Sequence, residues 1–232
     1  MDLHDFAQAT AQELLGRSLN EVEGKNAPAQ LFVAGDVSLL RASPRVSVVG
    51  ARRASALGLS TARSLSAWLV ERGVIIVSGL AEGVDTVAHQ AAIDAGRTIA
   101  VLGTALSEVF PAKNRALQLR IMREHLAVSQ FAPGTPSRPA NFPMRNRAMA
   151  LLSDATIIVE AGEKSGSLHQ GWEALRLGRP LFVMRSQLED PALTWPRELE
   201  RYGAQALDLN EWEVLSEALP ERAYGADFPL AL

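Results

Sequence analysis

VGARRAS at residues 49–55, SGLAEGVD at 78–85 and EKSGSL at 163–168 decide how this chain reads. Each follows an apolar, β-branched run and precedes a helical pattern, so a twisted parallel sheet collects all three at the carboxyl ends of its strands. That edge is where such sheets bind ligands. Small residues let backbone N–H groups approach an anion, and helix N-termini add positive partial charge. The pattern implies an edge built to hold phosphate.

Outward from these loops, VSVV at 46–49, VIIVS at 74–78, TIAVLG at 98–103, LAVS at 126–129, ATIIVE at 155–160 and PLFVM at 180–184 read as buried strands. Helical patterns fall between them, over 57–72, 84–95, 114–124, 142–152 and 166–177. The alternation predicts an α/β fold with right-handed crossovers and a mainly parallel sheet covered on both faces. Residues 1–30 read as an N-terminal arm with at most one short helix near Phe6 to Leu15, and LFVAGD at 31–36 as an edge strand. The main domain then spans 31–210, closing with a helix at 197–202 and a short strand at 205–209, and 211–232 is a tail too short for another domain. FAPGTPSRPANFP at 131–143 holds four prolines and must be a loop. Its length makes it a functional candidate.

Composition narrows the chemistry. At 232 residues the chain suits one α/β domain with a sizeable core, and no bilayer-length stretch is free of charge. MDLHDFAQAT lacks the order of a signal peptide, so a cytoplasmic protein is expected, with no membrane association. Without cysteine, and with four scattered histidines, no metal or thiol chemistry and no cofactor is expected. A net charge of −3 argues against a broadly cationic surface, so any nucleic-acid contact must be local. Of 23 basic residues only Lys25, Lys113 and Lys164 are lysine. The arginine excess suits bidentate phosphate contacts, and a GC-rich genome explains it equally well.

The candidate residues follow from the loops. Gly50 releases the chain from its strand, Ser55 caps the next helix, and Arg52 and Arg53 stand at the cleft mouth. The same segment also reads as a solvated turn. It is not a dinucleotide fingerprint, because G-x-G-x-x-G is absent. Ser78, Gly79 and Gly83 make a tight strand-to-helix turn, with Asp85 in the first helical turn and His89 four residues on, an internal pair that pins the helix start. Arg145, Asn146 and Arg147 follow the proline-rich loop, which must return to the same edge. Ser165, Gly166 and Ser167 form a phosphate cup, with Glu160 ending the strand before it. His169 reads as a surface residue and Trp172 as core.

In this order, VGARRAS with Gly58, SGLAEGVDTVAH, AVLGTALSEVFPAKN, APGTP with FPMRNR, and VEAGEKSGSL resemble the DprA/Smf family of DNA-processing proteins, from about Leu31 to Ala204. The resemblance implies an extended Rossmann-like, three-layer α/β/α fold. It further implies a homodimer that binds single-stranded DNA in a basic pocket and hands it to a strand-exchange recombinase during natural transformation. On that pattern Arg52, Lys113, Arg145 and Arg147 grip phosphates, while Gly50, Gly79, Gly166 and Ser167 let the backbone come close. No catalytic residue is implied, and none suited to cutting DNA is present. The sequence departs from the family at Gln170 and Gly171, where Thr and Ala are usual, at Gln130, and at MRSQ 184–187. Two alternatives share the fold. One is a sensor of free nucleotide. The other is a phosphoribohydrolase of the lysine-decarboxylase-like group, against which Gln170 counts, because it stands where that group has its catalytic glutamate and an amide cannot act as acid or base.

Overall fold

The computed structural model describes residues 6–220, so residues 1–5 of the expected arm and 221–232 of the expected tail lie outside it. Among the described residues one sheet has nine strands: β1 (Ala7–Ala9), β2 (Leu31–Gly35), β3 (Arg45–Val49), β4 (Ile75–Ser78), β5 (Thr98–Leu102), β6 (Leu126–Ser129), β7 (Ala155–Ile158), β8 (Leu181–Met184) and β9 (Gln205–Leu207). They lie in the order β1-β2-β6-β5-β4-β3-β7-β8-β9. From β6 through β9 every neighbouring pair is parallel. At the other end β2 runs antiparallel to both β6 and β1. The expected edge strand, LFVAGD, is therefore second from the edge. The sequence AQA of β1 is too short and too poor in β-branched residues to announce the strand that covers it.

The helices are α1 (Ala11–Leu15), α2 (Glu21–Asn26), α3 (Leu39–Ala42), α4 (Ala56–Glu71), α5 (Val84–Ile93), α6 (Arg115–Glu124), α7 (Asn141–Leu151), α8 (Ser167–Arg176), α9 (Arg185–Leu188), α10 (Trp195–Arg201) and α11 (Glu213–Ala218). Residues before β2 thus hold two short helices instead of the single one expected. Both start on a capping box, Thr10 with Glu13 and Asn20 with Glu23. Glu23 is buried and accepts from Arg17 at 2.6 Å and from Arg179 at 2.7 Å, which fastens α2 to the loop before β8.

Alternation along the strands fills two layers. Val49, Ile75, Val77, Ile99, Val101 and Ile158 face one side with residues of α7, α8 and α10. Val46, Val48, Ile76 and Ile157 face the other, against Ala62, Leu65 and Leu69 of α4 and Val84 and Ala88 of α5. Leu102, Ala127 and Ile121 continue that second layer under α6. This is the three-layer α/β/α arrangement.

A buried ion pair ties the amino ends of two central strands. Arg45 Nη2 donates to Asp154 Oδ1 at 2.8 Å and Nε to Oδ2 at 3.1 Å, while the Arg45 backbone N–H also donates to Oδ2. The fork geometry satisfies both charges away from water. Removing one partner strands the other, so Asp154→Ala should lower the free energy of urea unfolding by ~3–5 kcal/mol.

His89 does not pair with Asp85. Its Nδ1 lies 2.7 Å from Thr98 Oγ1, and the Asp85 carboxylate is occupied by backbone N–H groups of its own loop. The i, i+4 spacing permits the expected pair, but the fully buried imidazole finds its partner across the sheet on β5. Burial, the largest cause, holds the His89 pKa down at about 3. Burial also lowers that of His125. A base whose pKa is depressed by folding takes up protons mainly in the unfolded state, so stability is intact above about pH 6.5 and declines as pH falls below it. Unfolding midpoints measured between pH 7 and pH 4 should fall, His89 contributing up to ~1.4 kcal/mol per pH unit, and His89→Gln should flatten part of that slope.

Candidate nucleic-acid interface

The three glycine loops meet at the carboxyl edge, where main-chain bonds tie the first to the second and to the end of β7. Ala51 N–H donates to the Glu160 carbonyl at 2.6 Å, and Val84 N–H to the Ala51 carbonyl at 3.3 Å. A Cβ on Gly50 would strike the Val84 side chain and the Glu160 carbonyl. The first loop therefore sits wedged between the second loop and the end of β7. Ser55 caps α4, its Oγ accepting from Gly58 N–H at 3.0 Å. The Glu160 carboxylate in turn accepts from the N–H and Oγ of Ser55, at 2.8 and 2.5 Å, so it anchors this helix start.

Between the loops lies a cavity of about 480 Å³, lined by Gly50, Arg52, Arg53, Asp85, Phe142, Arg145, Asn146, Lys164, Ser165, Gly166, Ser167 and Gln170 among others. Four cationic side chains and one carboxylate line it, although the chain as a whole is negative. Its size is that of a small-ligand site.

Arg145 is the buried member of this set. Its Nη1 donates to the Val101 carbonyl at the end of β5, 2.9 Å away. The guanidinium lies so close to Gly79 that a Cβ there would overlap it. Burial pushes its pKa below the usual arginine value; Asp85 opposes that shift and Arg52 adds to it. It remains a cation, since arginine starts far above neutrality. Asp85 receives N–H donors from Gly79 at 3.2 Å and Ala81 at 3.3 Å. Burial raises its pKa, against the pull of Arg145 and those two N–H groups.

The second loop carries backbone strain. Leu80 has φ 58°, the left-handed region that β-carbon-bearing residues avoid. Its carbonyl is held by Asn114 Nδ2 at 2.9 Å, the same amide that donates to Thr86 Oγ1 at 2.8 Å. Gly83, at φ 78°, abuts the Ala51 and Arg52 carbonyls. On the third loop Asn146 Nδ2 donates to the Gly166 carbonyl at 3.0 Å, and the Ser165 and Ser167 hydroxyls pair at 2.5 Å.

The structure thus brings Gly50, Arg52, Arg53, Arg145, Asn146, Ser165, Gly166 and Ser167 to one cavity. Four other sequence candidates sit elsewhere. Ser78 is buried and donates to the Val48 carbonyl at 2.7 Å, and Gly79 lies behind Arg145. Lys113 is exposed and paired with Glu82 at 2.6 Å, and Arg147 is exposed and paired with Glu173 at 3.0 Å. Phe142 and Lys164 also line the cavity and were not among the sequence candidates, and Asp85, read from the sequence as a helix-start acid, lines it as well. Phe142 stands 5.5 Å from the Arg52 guanidinium. Gln170 is fully buried, its Nε2 turned to Ser47 Oγ and Thr156 Oγ1 at 3.4 and 3.3 Å. His169 is exposed, and Trp172 is partly buried, packing edge-on against Tyr202. Among the described residues there is no acidic or histidine cluster suited to a metal ion, and no helix is long and apolar enough to cross a membrane.

A family model for DNA recombination-mediator protein A matches residues 10–219. DNA processing protein DprA of Bacillus subtilis is 38% identical over 198 residues, covering 84% of this chain and 65% of that protein. The chain spans between about a third and two thirds of the length of the curated relatives it matches. The X-ray structure of DprA from Streptococcus pneumoniae superimposes with a TM-score of 0.80 at 32% identity, over 97% of this chain and 77% of that one. A structure of DNA processing protein A from Helicobacter pylori, described by its single-stranded DNA binding mode, gives 0.77 at 28% identity, over 94% and 100%. A family model along nearly the whole described chain, relatives of this identity and the shared three-layer fold agree: the chain belongs to the DNA recombination-mediator protein A (DprA/Smf) family.

Proposed function

We propose that the cavity holds the phosphate backbone of single-stranded DNA, and that the protein acts in DNA processing of the natural-transformation type. The observation that carries this is Arg145: a buried cation with one nitrogen committed to a strand carbonyl, lining a cavity shared with Arg52, Arg53 and Lys164. A polyanion threaded past such a cluster is held by charge and by hydrogen bonds to its phosphates, with no bond broken. The Helicobacter pylori relative, named for binding single-stranded DNA, supports the choice of polymer. Gly50, Asn146, Ser165, Gly166 and Ser167 let the strand approach the backbone, with Ser78 and Gly79 supporting from behind. Lys113 and Arg147, both exposed and each paired with a carboxylate, extend the track outside the cavity. In this reading the protein works as a cytoplasmic homodimer, without a cofactor, and passes the strand to a recombinase.

A second reading, a sensor of free nucleotide, is favoured by one feature: the cavity volume matches a mononucleotide as well as one unit of a strand. Hydrolysis of a nucleoside monophosphate finds no support, because Gln170 is an amide turned toward Ser47 and Thr156.

In a titration of oligo(dT) at two salt concentrations, Arg52→Ala should bind at least tenfold more weakly and with a shallower salt slope. Equal affinity and slope would remove Arg52 from the interface. The sensor reading predicts the opposite preference, thermal stabilisation by a mononucleotide and none by the oligonucleotide. Gly79→Ala should act through Arg145. The added methyl group has no room, so both strand affinity and the unfolding midpoint should drop, and a variant with unchanged affinity would show that Arg145 is not a ligand of the strand.

A further inference from the structure

Phe110 is a large apolar side chain that folding leaves outside. It is 45% exposed, on the loop that follows β5 at the carboxyl edge. Its ring neighbour is Phe142, with centroids 5.4 Å apart and planes inclined at 50°. Phe142 lines the cavity and faces the Arg52 guanidinium. Guanidinium, inner ring and outer ring thus run in sequence from the cavity to solvent.

The loop that carries Phe110 is anchored. The Glu108 carbonyl accepts from Nε2 of the fully buried Gln118 at 2.9 Å, and Glu108 N–H donates to the Ala105 carbonyl at 2.9 Å. Asn114, just beyond, is tied to Leu80 and Thr86. An aromatic ring exposed on a fixed support, against a second ring that borders a cationic cavity, suits a flat ligand attached to an anion. Core packing does not require Phe110.

Resting on the reading of the cavity as a phosphate site for a single strand, we propose that Phe110 is a stacking platform for a nucleobase of that strand, next to the nucleotide whose phosphate Arg52 and Arg145 hold. The platform gives the site a preference for unpaired bases, since a base inside a duplex presents its faces to its neighbours and none to a protein ring. Because every base has a π-face, it tolerates any sequence.

The experiment compares the parent, Phe110→Ala and Phe110→Trp for binding to oligo(dT) and to an abasic strand of equal length, with Arg52→Ala as control. Phe110→Ala should lose roughly tenfold in affinity for oligo(dT), keep the parent's salt slope, and bind the abasic strand as the parent does. Phe110→Trp should bind oligo(dT) at least as tightly as the parent, and its emission should be quenched by oligo(dT) but not by the abasic strand. Parental affinity of Phe110→Ala for oligo(dT), or an equal loss on both strands, overturns the platform while leaving the phosphate site standing. A parent that binds neither strand, or an Arg52→Ala variant as tight as the parent, overturns the phosphate site itself, and the platform falls with it. Unfolding midpoints for the Phe110 variants should match the parent's, as expected of an exposed residue.

Discussion

Arg145 lies against the backbone of Gly79 with no room for a methyl group between them, and the rest of the carboxyl edge is arranged around that approach. A buried guanidinium loses hydration that the protein must replace. Here the replacement comes from the Val101 carbonyl at the end of β5 and, through space, from Asp85. Asp85 can serve only because the turn after β4 aims the Gly79 and Ala81 N–H groups at it. One cation therefore draws together the ends of β4 and β5, the start of α5 and the start of α7, which bound the cavity.

The opposite edge of the sheet uses charge differently. Arg45 and Asp154 are enclosed and paired with one another, with the Leu40 carbonyl taking a further guanidinium N–H at 2.6 Å. That pair fixes β3 beside β7 and leaves nothing for a ligand. Arg145, hydrogen-bonded to a carbonyl and opposed by Asp85 only through space, keeps its charge beside open space. The contrast separates a charge that holds the fold from one that the fold holds for use.

The central elements were legible in the sequence because strands buried on both faces write themselves as uninterrupted apolar runs, as in VSVV, VIIVS and LAVS. The loops were legible because glycine and serine directly after a β-branched run break the strand and favour a turn. What the sequence hid depends on contacts distant along the chain. Lys113 and Arg147 read as strand-gripping residues, and in the fold each meets a carboxylate, 31 and 26 residues away respectively. Asp85 stood beside an apparent partner in His89, and only the burial of Thr98 on β5 shows why that imidazole turns elsewhere. The short β1 and α3 carry too few residues for any periodicity to register.

The tight seat of Arg145 on Gly79 also restricts the order in which this site can drift. A methyl group at position 79 has no space while the guanidinium is present, so the two positions do not vary independently. A lineage that fills the glycine while keeping the cation passes through a collision. The backbone at the end of β4 thus records whether the charge is still in place.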